Sequence, residues 1–304
     1  MSSNLQRAIE AGQFVMTAEV TPPLSVDPKD LLEKAMPLKG FADAVNVTDG
    51  ASAKTHLDAT IAAIILKENG IEPILQLTCR DKNRIALQSQ LVGASAMGLH
   101  NILILGGDDP KKGDQPEAKA VFDLDSTTLI QTAATIRDKH ELLHGRKVGG
   151  DPHFFIGAAD APVDPKEGWE PKGLLKKVEA GAQFAQTQFC MDADVVARYM
   201  ARLAEFGITD KLSFLIGVAP LASAKSGRWM KENLFGTVIP DWIIDRMDAA
   251  ADPKAEGKAI AVEVIEQLAQ IPGVRGVHLM APLNEHAIPD VITEVRKRVK
   301  KAAR

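Results

Sequence analysis

Apolar residues along the chain fall into short unbroken runs of strand length, separated by longer stretches in which they recur at helical spacing. Phe14 to Val20 is the first run, ending in Glu19-Val20-Thr21-Pro22-Pro23, and Asp30 to Met36 is the helix after it. Ala42 to Thr48, turning at Asp49-Gly50, precedes a helix over Lys54 to Glu68, and Ile71 to Thr78 precedes one from about Lys82 to Met97. Ile102 to Leu105 runs into Gly106-Gly107-Asp108-Asp109-Pro110, then through a long loop past Lys111 and Asp114 to a helix over Ser126 to Lys139. In the second half the strands are His153 to Ala158, Phe184 to Gln188, Leu212 to Val218 and Val274 to Met280. Their helices are Leu174 to Ala182, Ala193 to Phe206, a helical hairpin-like region around Lys225 to Asn233 with a long helix over Lys258 to Gln270, and Ile288 to Lys301. In that last helix Arg296, Lys297, Arg298, Lys300 and Lys301 are expected to form a solvated basic face.

Alternation of this kind argues for parallel βα units, and no Pro/Ser-rich linker or low-complexity tract divides the chain. Eight strands and eight helices predict a single (β/α)8 TIM barrel over residues 1–304. A doubly wound open sheet ranks second, because no strand-Gly-x-Gly-x-x-Gly-helix fingerprint is present. In a barrel, function belongs at the carboxyl ends of the strands, which here carry Glu19, Thr48, Gln76 with Thr78, Asp108, Gln188 and His278. Gly106 and Gly107 let the backbone turn sharply before Asp108, since neither carries a Cβ.

Composition narrows the classes. Hydrophobic content of 45% with 25% charged residues suits a globular enzyme with a large core. Thirty-six basic against 40 acidic residues leave a net charge of -4, which gives no global field to recruit nucleic acid or an acidic membrane surface. The first residues show no basic region followed by an apolar one, and no run reaches the length of a membrane span, so a cytoplasmic location is expected. The two cysteines, Cys79 and Cys190, fit a reducing compartment. Together with His278 they lie near strand ends, but no close-spaced ligand pair supports zinc, and they read as small core hydrophobes, with no metal site expected.

Several pieces in order resemble the methylenetetrahydrofolate reductase family. They are Glu19 with Pro22-Pro23, Val47-Thr48, Leu77-Thr78-Cys79, Gly107-Asp108, and Lys177-Val178-Glu179-Ala180-Gly181-Ala182 leading into Thr187-Gln188. The resemblance covers essentially the whole chain. It implies a (β/α)8 barrel, bound FAD, NAD(P)H as co-substrate, and reduction of 5,10-methylenetetrahydrofolate to 5-methyltetrahydrofolate, a step of one-carbon metabolism and methionine biosynthesis.

The resemblance makes Glu19 the general acid. Protonating folate N10 turns it into a leaving group, so that the methylene bridge opens before it accepts hydride. An acid of this kind needs a raised pKa near neutral pH, and Val20, Pro22 and Pro23 are expected to supply low-polarity surroundings. Asp108 is implied beside flavin and pterin, where a carboxylate tunes the flavin and stabilises the cationic iminium. Gln188 is implied as a pterin contact, and Ser226 stands near a second folate-contacting position in the loop after the seventh strand. Lys225 or Arg228 in that loop could meet the glutamate tail of folate. Flavin contacts are implied at Thr48, Gln76, Gly106, Gly107, Asp108, Ala158, Lys176 and Lys177.

Departures from the family concentrate on the flavin. Gln76 stands where some relatives have histidine, Gly106 where they have arginine, and Glu170 and Gly173 where they have shorter polar residues. Loss of an arginine near a pyrophosphate removes a bidentate contact. Two alternatives therefore stay open: a flavin-free reductase that takes hydride directly from NADH, and a folate-binding partner that passes on one-carbon units without catalysing the reduction. His56 and His153 read as structural, and Trp169, Trp229 and Trp242 as loop anchors on the active-site side. Barrels of this type often oligomerise through helix faces, and no particular patch stands out here.

Overall fold

Each apolar run named above becomes a strand in the computed structural model, which describes residues 2–282 and 284–302. The strands are β1 (Val15–Val20), β2 (Ala44–Val47), β3 (Pro73–Thr78), β4 (Asn101–Leu105), β5 (Phe155–Asp160), β6 (Phe184–Phe189), β7 (Ser213–Val218) and β8 (Val274–Leu279). Neighbours pair in parallel in chain order, and β8 closes on β1 through registers such as Val15 with Gly276 and Thr17 with His278. That closure makes the fold a (β/α)8 barrel and removes the open sheet from consideration. The helices are α1 (Asn4–Glu10), α2 (Pro28–Ala35), α3 (Ala59–Glu68), α4 (Arg84–Ala96), α5 (Ser126–Lys139), α6 (Lys172–Glu179), α7 (Ala193–Glu205), α8 (Ala224–Asn233), α9 (Asp241–Ala249), α10 (Pro253–Leu268) and α11 (Ile288–Ala302). No helix among the described residues is long and apolar enough to cross a membrane.

The strands lack a clean apolar/polar alternation because both of their faces are covered. Outward residues such as Met16, Ala18 and Val20 of β1 join the large core between sheet and helices. Inward residues form a second, smaller core: Val15, Ala44, Ile74, Leu103, Phe155, Phe184 and Leu215. Phe155 and Phe184 stack there with centroids 4.7 Å apart. Gly157 makes room for this pair, since a Cβ on it would lie 2.3 Å from the Phe184 ring.

Helix α1 closes the amino end of the barrel by inserting Leu5 and Ile9 into the inner core. Ser3 caps it by accepting from the Gln6 N–H. The Glu72 carboxylate, held by Asn101 Nδ2 at 3.0 Å, accepts from the N–H groups of Asn4 and Leu5 at 3.0 and 2.8 Å. Two apolar residues one turn apart are too sparse a pattern to reveal such a helix in the sequence.

Other boundaries moved for local reasons. Helix α3 starts at Ala59 rather than Lys54 because Asp58 accepts from the N–H groups of Thr60 and Ile61. Helix α10 starts at Pro253 rather than Lys258 under the Asp252 cap. Helix α6 runs from Lys172 to Glu179, earlier than the expected Leu174 to Ala182, and β5 extends to Asp160. On α11 the basic side chains of Lys297 and Arg298 are exposed as expected, and with Arg296 they form surface ion pairs: Arg298 with Glu294 and Glu266, Lys297 with Glu294, and Arg296 with Asp43. The side chains of Lys300 and Lys301 lie outside the described residues.

Candidate active site

One step up the barrel from the apolar floor, the inward positions become polar. Thr17, Asn46, Gln76, Gln186 and His278 are all buried there. Above them Glu19, with its side chain 23% exposed, reaches the mouth. Glu19 Oε2 accepts from Gln76 Nε2 at 2.8 Å and lies 3.5 Å from His278 Nε2. Two of the expected site residues, Glu19 and Gln76, are therefore bonded to each other. The partners of the Glu19 carboxyl group, Gln76 and His278, are polar. Val20 points outward into the helix-facing core, and the Pro22 carbonyl is occupied by His56 Nδ1 at 2.9 Å. His56 also contacts the Ala51 carbonyl at 3.2 Å, which makes it a loop anchor.

The tips of β2, β3 and β4 are tied together by Asp49 and Thr78, and by Arg80, Asp81 and Lys82, which the sequence did not single out. Asp49 accepts from the Thr78 N–H and hydroxyl at 2.9 and 3.0 Å, and from Lys82 Nζ at 3.1 Å. Arg80, only 4% exposed, is bidentate to Asp81 at 2.7 and 2.6 Å. Its remaining guanidinium nitrogen donates to the carbonyls of Gly50 at 3.2 Å and Asp108 at 3.5 Å. Gly107 passes over this clamp with φ +95°, and a Cβ there would lie 3.0 Å from Arg80 Cβ. The outcome is an Asp108 fixed by its backbone, with an exposed side chain. Only the run Thr78-Cys79-Arg80-Asp81 could have signalled the clamp, and an arginine beside an aspartate is too common in loops to do so.

A bulge between Gln186 and Phe189 shapes the end of β6. Thr187 Oγ1 takes the Gly217 N–H at 2.9 Å in place of a backbone carbonyl, and Gln188 follows half-buried, its Oε1 accepting from the Phe189 N–H at 3.0 Å. Bulges beside sites re-aim side chains in this way. Glu19, Asp108 and Gln188 thus share the carboxyl end of the barrel, from β1, β4 and β6, with no hydrogen bond among the three.

The remaining expected contacts divide. Thr48 is 6% exposed, and its Oγ1 has no hydrogen-bond partner among the described residues. Lys177 Nζ donates to the Ala159 carbonyl at 2.6 Å, whereas Lys176 is exposed. Ala158 is fully buried with its side chain toward the helices, so only its backbone borders the mouth side of β5. Ser226 belongs to a capping box at the start of α8, donating to the Ser223 carbonyl at 2.7 Å. It also lines a cleft of about 340 Å³ with Pro220, Lys225, Trp229 and Asn284. Arg228 is bidentate to Asp248, and exposed Lys225 is the cation of that cleft.

Trp169 packs against Tyr199 at 5.7 Å, and its carbonyl is held by Arg202. Trp242 sits against Arg246, while Trp229 is 56% exposed. Cys79 and Cys190 are fully buried, and burial pushes their thiols up to about 11 and about 12. Neither should react with a thiol reagent at about pH 8 until the protein unfolds, and labelling followed by mass spectrometry checks this.

Fold and site together define a (β/α)8 barrel with an acidic and amide-rich mouth at the carboxyl ends of its strands. The profile of the family described as methylenetetrahydrofolate reductase matches residues 4–296, and the chain belongs to that family. It is 24% identical over 308 residues to a probable methylenetetrahydrofolate reductase (NADPH) of Caenorhabditis elegans, covering 96% of this chain and 44% of that protein. With the 5,10-methylenetetrahydrofolate reductase of Escherichia coli (strain K12) it shares 26% identity over 242 residues, 77% of this chain and 74% of that one. The chain thus spans less than half of the first relative and about three quarters of the second. Among solved structures, it matches an uncharacterized Clostridium thermocellum protein described as binding two copies of 5-methyl-5,6,7,8-tetrahydrofolic acid. The TM-score is 0.70 at 14% identity, over 96% of this chain and 99% of that one.

Proposed function

We propose that this chain reduces 5,10-methylenetetrahydrofolate to 5-methyltetrahydrofolate at the expense of NAD(P)H, with Glu19 as general acid. The observation that carries this reading is the Glu19 carboxyl group at the mouth of the barrel, held on one oxygen by Gln76 and His278. Its proton passes to folate N10, the bond from N10 to the bridging carbon breaks, and the iminium cation formed at N5 accepts a hydride to become the methyl group. Asp108, exposed at its glycine turn, offers a carboxylate to that cation. Gln188 presents an amide to the pterin edge, and Lys225 offers a cation to the glutamate tail.

FAD, implied by the family, would supply a ring that accepts hydride from NAD(P)H and passes it on. The residues suit it at one end. The unpartnered hydroxyl of Thr48 is a buried donor and acceptor available to a ligand, and buried groups of this kind are normally satisfied. Thr48, Gly106, Gly107, Asp108 and Lys176 would hold it.

A second reading, direct hydride transfer from NADH without flavin, is favoured by the phosphate end. Gly106 offers no side chain, Lys177 is committed to the Ala159 carbonyl, and the Gln76 amide is committed to Glu19. The absorbance spectrum of the purified protein separates the readings. Flavin bands with NAD(P)H-dependent folate reduction support the first. A colourless, active protein supports the second, and a colourless protein without activity leaves only a folate-binding role.

Thr48→Val gives a finer check. Removing an unpartnered hydroxyl should leave Tm unchanged or slightly raised. If the hydroxyl serves a ligand, the flavin or dinucleotide affinity should fall by about fivefold to tenfold, measured by equilibrium titration. Unchanged affinity would remove Thr48 from the site.

A further inference from the structure

Beneath the acid lie buried polar side chains for which the proposed chemistry has no use. Thr17, Asn46, Gln186 and His278 are each 3% exposed or less, and they come from β1, β2, β6 and β8. The two amides pair reciprocally: Asn46 Nδ2 donates to Gln186 Oε1 at 2.6 Å, and Gln186 Nε2 donates to Asn46 Oδ1 at 3.0 Å. That pairing turns Gln186 Nε2 toward Thr17 Oγ1 at 3.0 Å and His278 Nδ1 at 3.3 Å.

With an amide donor on that side, Nδ1 is the unprotonated nitrogen of the ring. Nδ1 lies 3.0 Å from the Thr17 hydroxyl, whose other acceptor, the Val277 carbonyl, is at 3.4 Å; with Nδ1 accepting, the ring proton belongs on Nε2, which faces Glu19 Oε2 at 3.5 Å. Donors therefore run in one direction, from the amide pair through Thr17 and His278 to the acid. Gln76 Nε2 reaches the same oxygen. A carboxyl proton on Oε2 would oppose two N–H groups, so the neutral acid carries it on Oε1. Among the described residues Oε1 accepts no hydrogen bond.

We propose that His278, resting on the acid reading above, is a positioning residue that assigns the transferable proton to Glu19 Oε1. The Oε1–H bond breaks as the N10–H bond forms, and the carboxylate left behind keeps its bonds at Oε2. No proton leaves His278. The chain behind Nδ1 ends in amides, and the layer of Ile74, Leu103, Phe155, Phe184 and Leu215 seals it from below. The imidazole thus keeps its orientation while Glu19 alone gives up a proton.

The experiment combines the ¹⁵N spectrum of the imidazoles with two variants. In the unsubstituted protein, the neutral His278 ring should be the Nε2–H tautomer. Thr17→Val, which removes only a hydroxyl, should lower kcat by about tenfold and keep the folate KM within about twofold. His278→Leu should lower kcat further and alter its pH profile. An Nδ1–H tautomer in the unsubstituted protein overturns the proposal, and this measurement does not depend on any variant folding. So does an unchanged kcat and pH profile in both variants while Glu19→Gln is inactive, a result that leaves the acid reading standing. Turnover by Glu19→Gln would instead remove the acid reading and this proposal with it.

Discussion

Glu19→Gln is expected to lower folate turnover by about 10²- to 10⁴-fold, the usual contribution of a positioned general acid, while folate still binds. The substitution is close to isosteric. The amide oxygen of the new side chain can accept from Gln76 as Oε2 does now and face His278 as Oε2 does, so the mouth should keep its shape. What disappears is an acidic proton facing the substrate. If a flavin is present, its reduction by NAD(P)H involves no folate N10 and should proceed at close to the normal rate. Stopped-flow traces of the two half-reactions, together with a folate titration, make the distinction. A variant that reduces folate at the parental rate would refute the role. One that loses folate binding as well as turnover would make Glu19 a binding residue.

Phe184→Ala is expected to have the largest effect on stability. The side chain is fully buried, stacked on Phe155, and fitted into space that Gly157 leaves open. Removing a buried phenylalanine costs about 3–5 kcal/mol, against a total of about 5–15 kcal/mol for an ordinary domain. The barrel cannot readily collapse around the gap, because closed strand pairing holds its radius. Urea titration should show a large fall in the midpoint. Phe184→Leu should lose clearly less, since much of the volume is retained. A near-normal midpoint for the alanine variant would mean that the inner layer repacks and that the floor is not rigid. Activity of the folded fraction should also drop, because Gln186 lies two residues along the same strand and faces the same interior.

The strand count and the order of the strands around the barrel were legible in the sequence. Runs such as Ile102 to Leu105 are short and bounded by glycine, and they stay apolar because both faces are covered. The same double covering hid the inner polar layer. Thr17, Asn46 and Gln186 alternate with apolar neighbours that face the helices, but nothing in one strand tells which face turns inward or that three strands would bring these side chains together. Glu19, Asp108 and Gln188 were found through family likeness, since strand-end polar residues are common. The Arg80 clamp was missed because it depends on two turns 30 and 28 residues away, at Gly50 and Asp108. Helix α9 escaped notice because Asp241–Ala249 is short and follows Pro240 without a side-chain cap.

With Leu5 and Ile9 of α1 lodged in the amino end of the barrel, the reductant and the folate of the proposed reaction would reach Glu19 from the opposite face. Both would pass one doorway, and that restriction gives the rate law diagnostic force. Where a carrier remains behind while the first visitor departs, double-reciprocal plots at several fixed folate concentrations form parallel lines. Where both visitors stand at the doorway together, the lines converge.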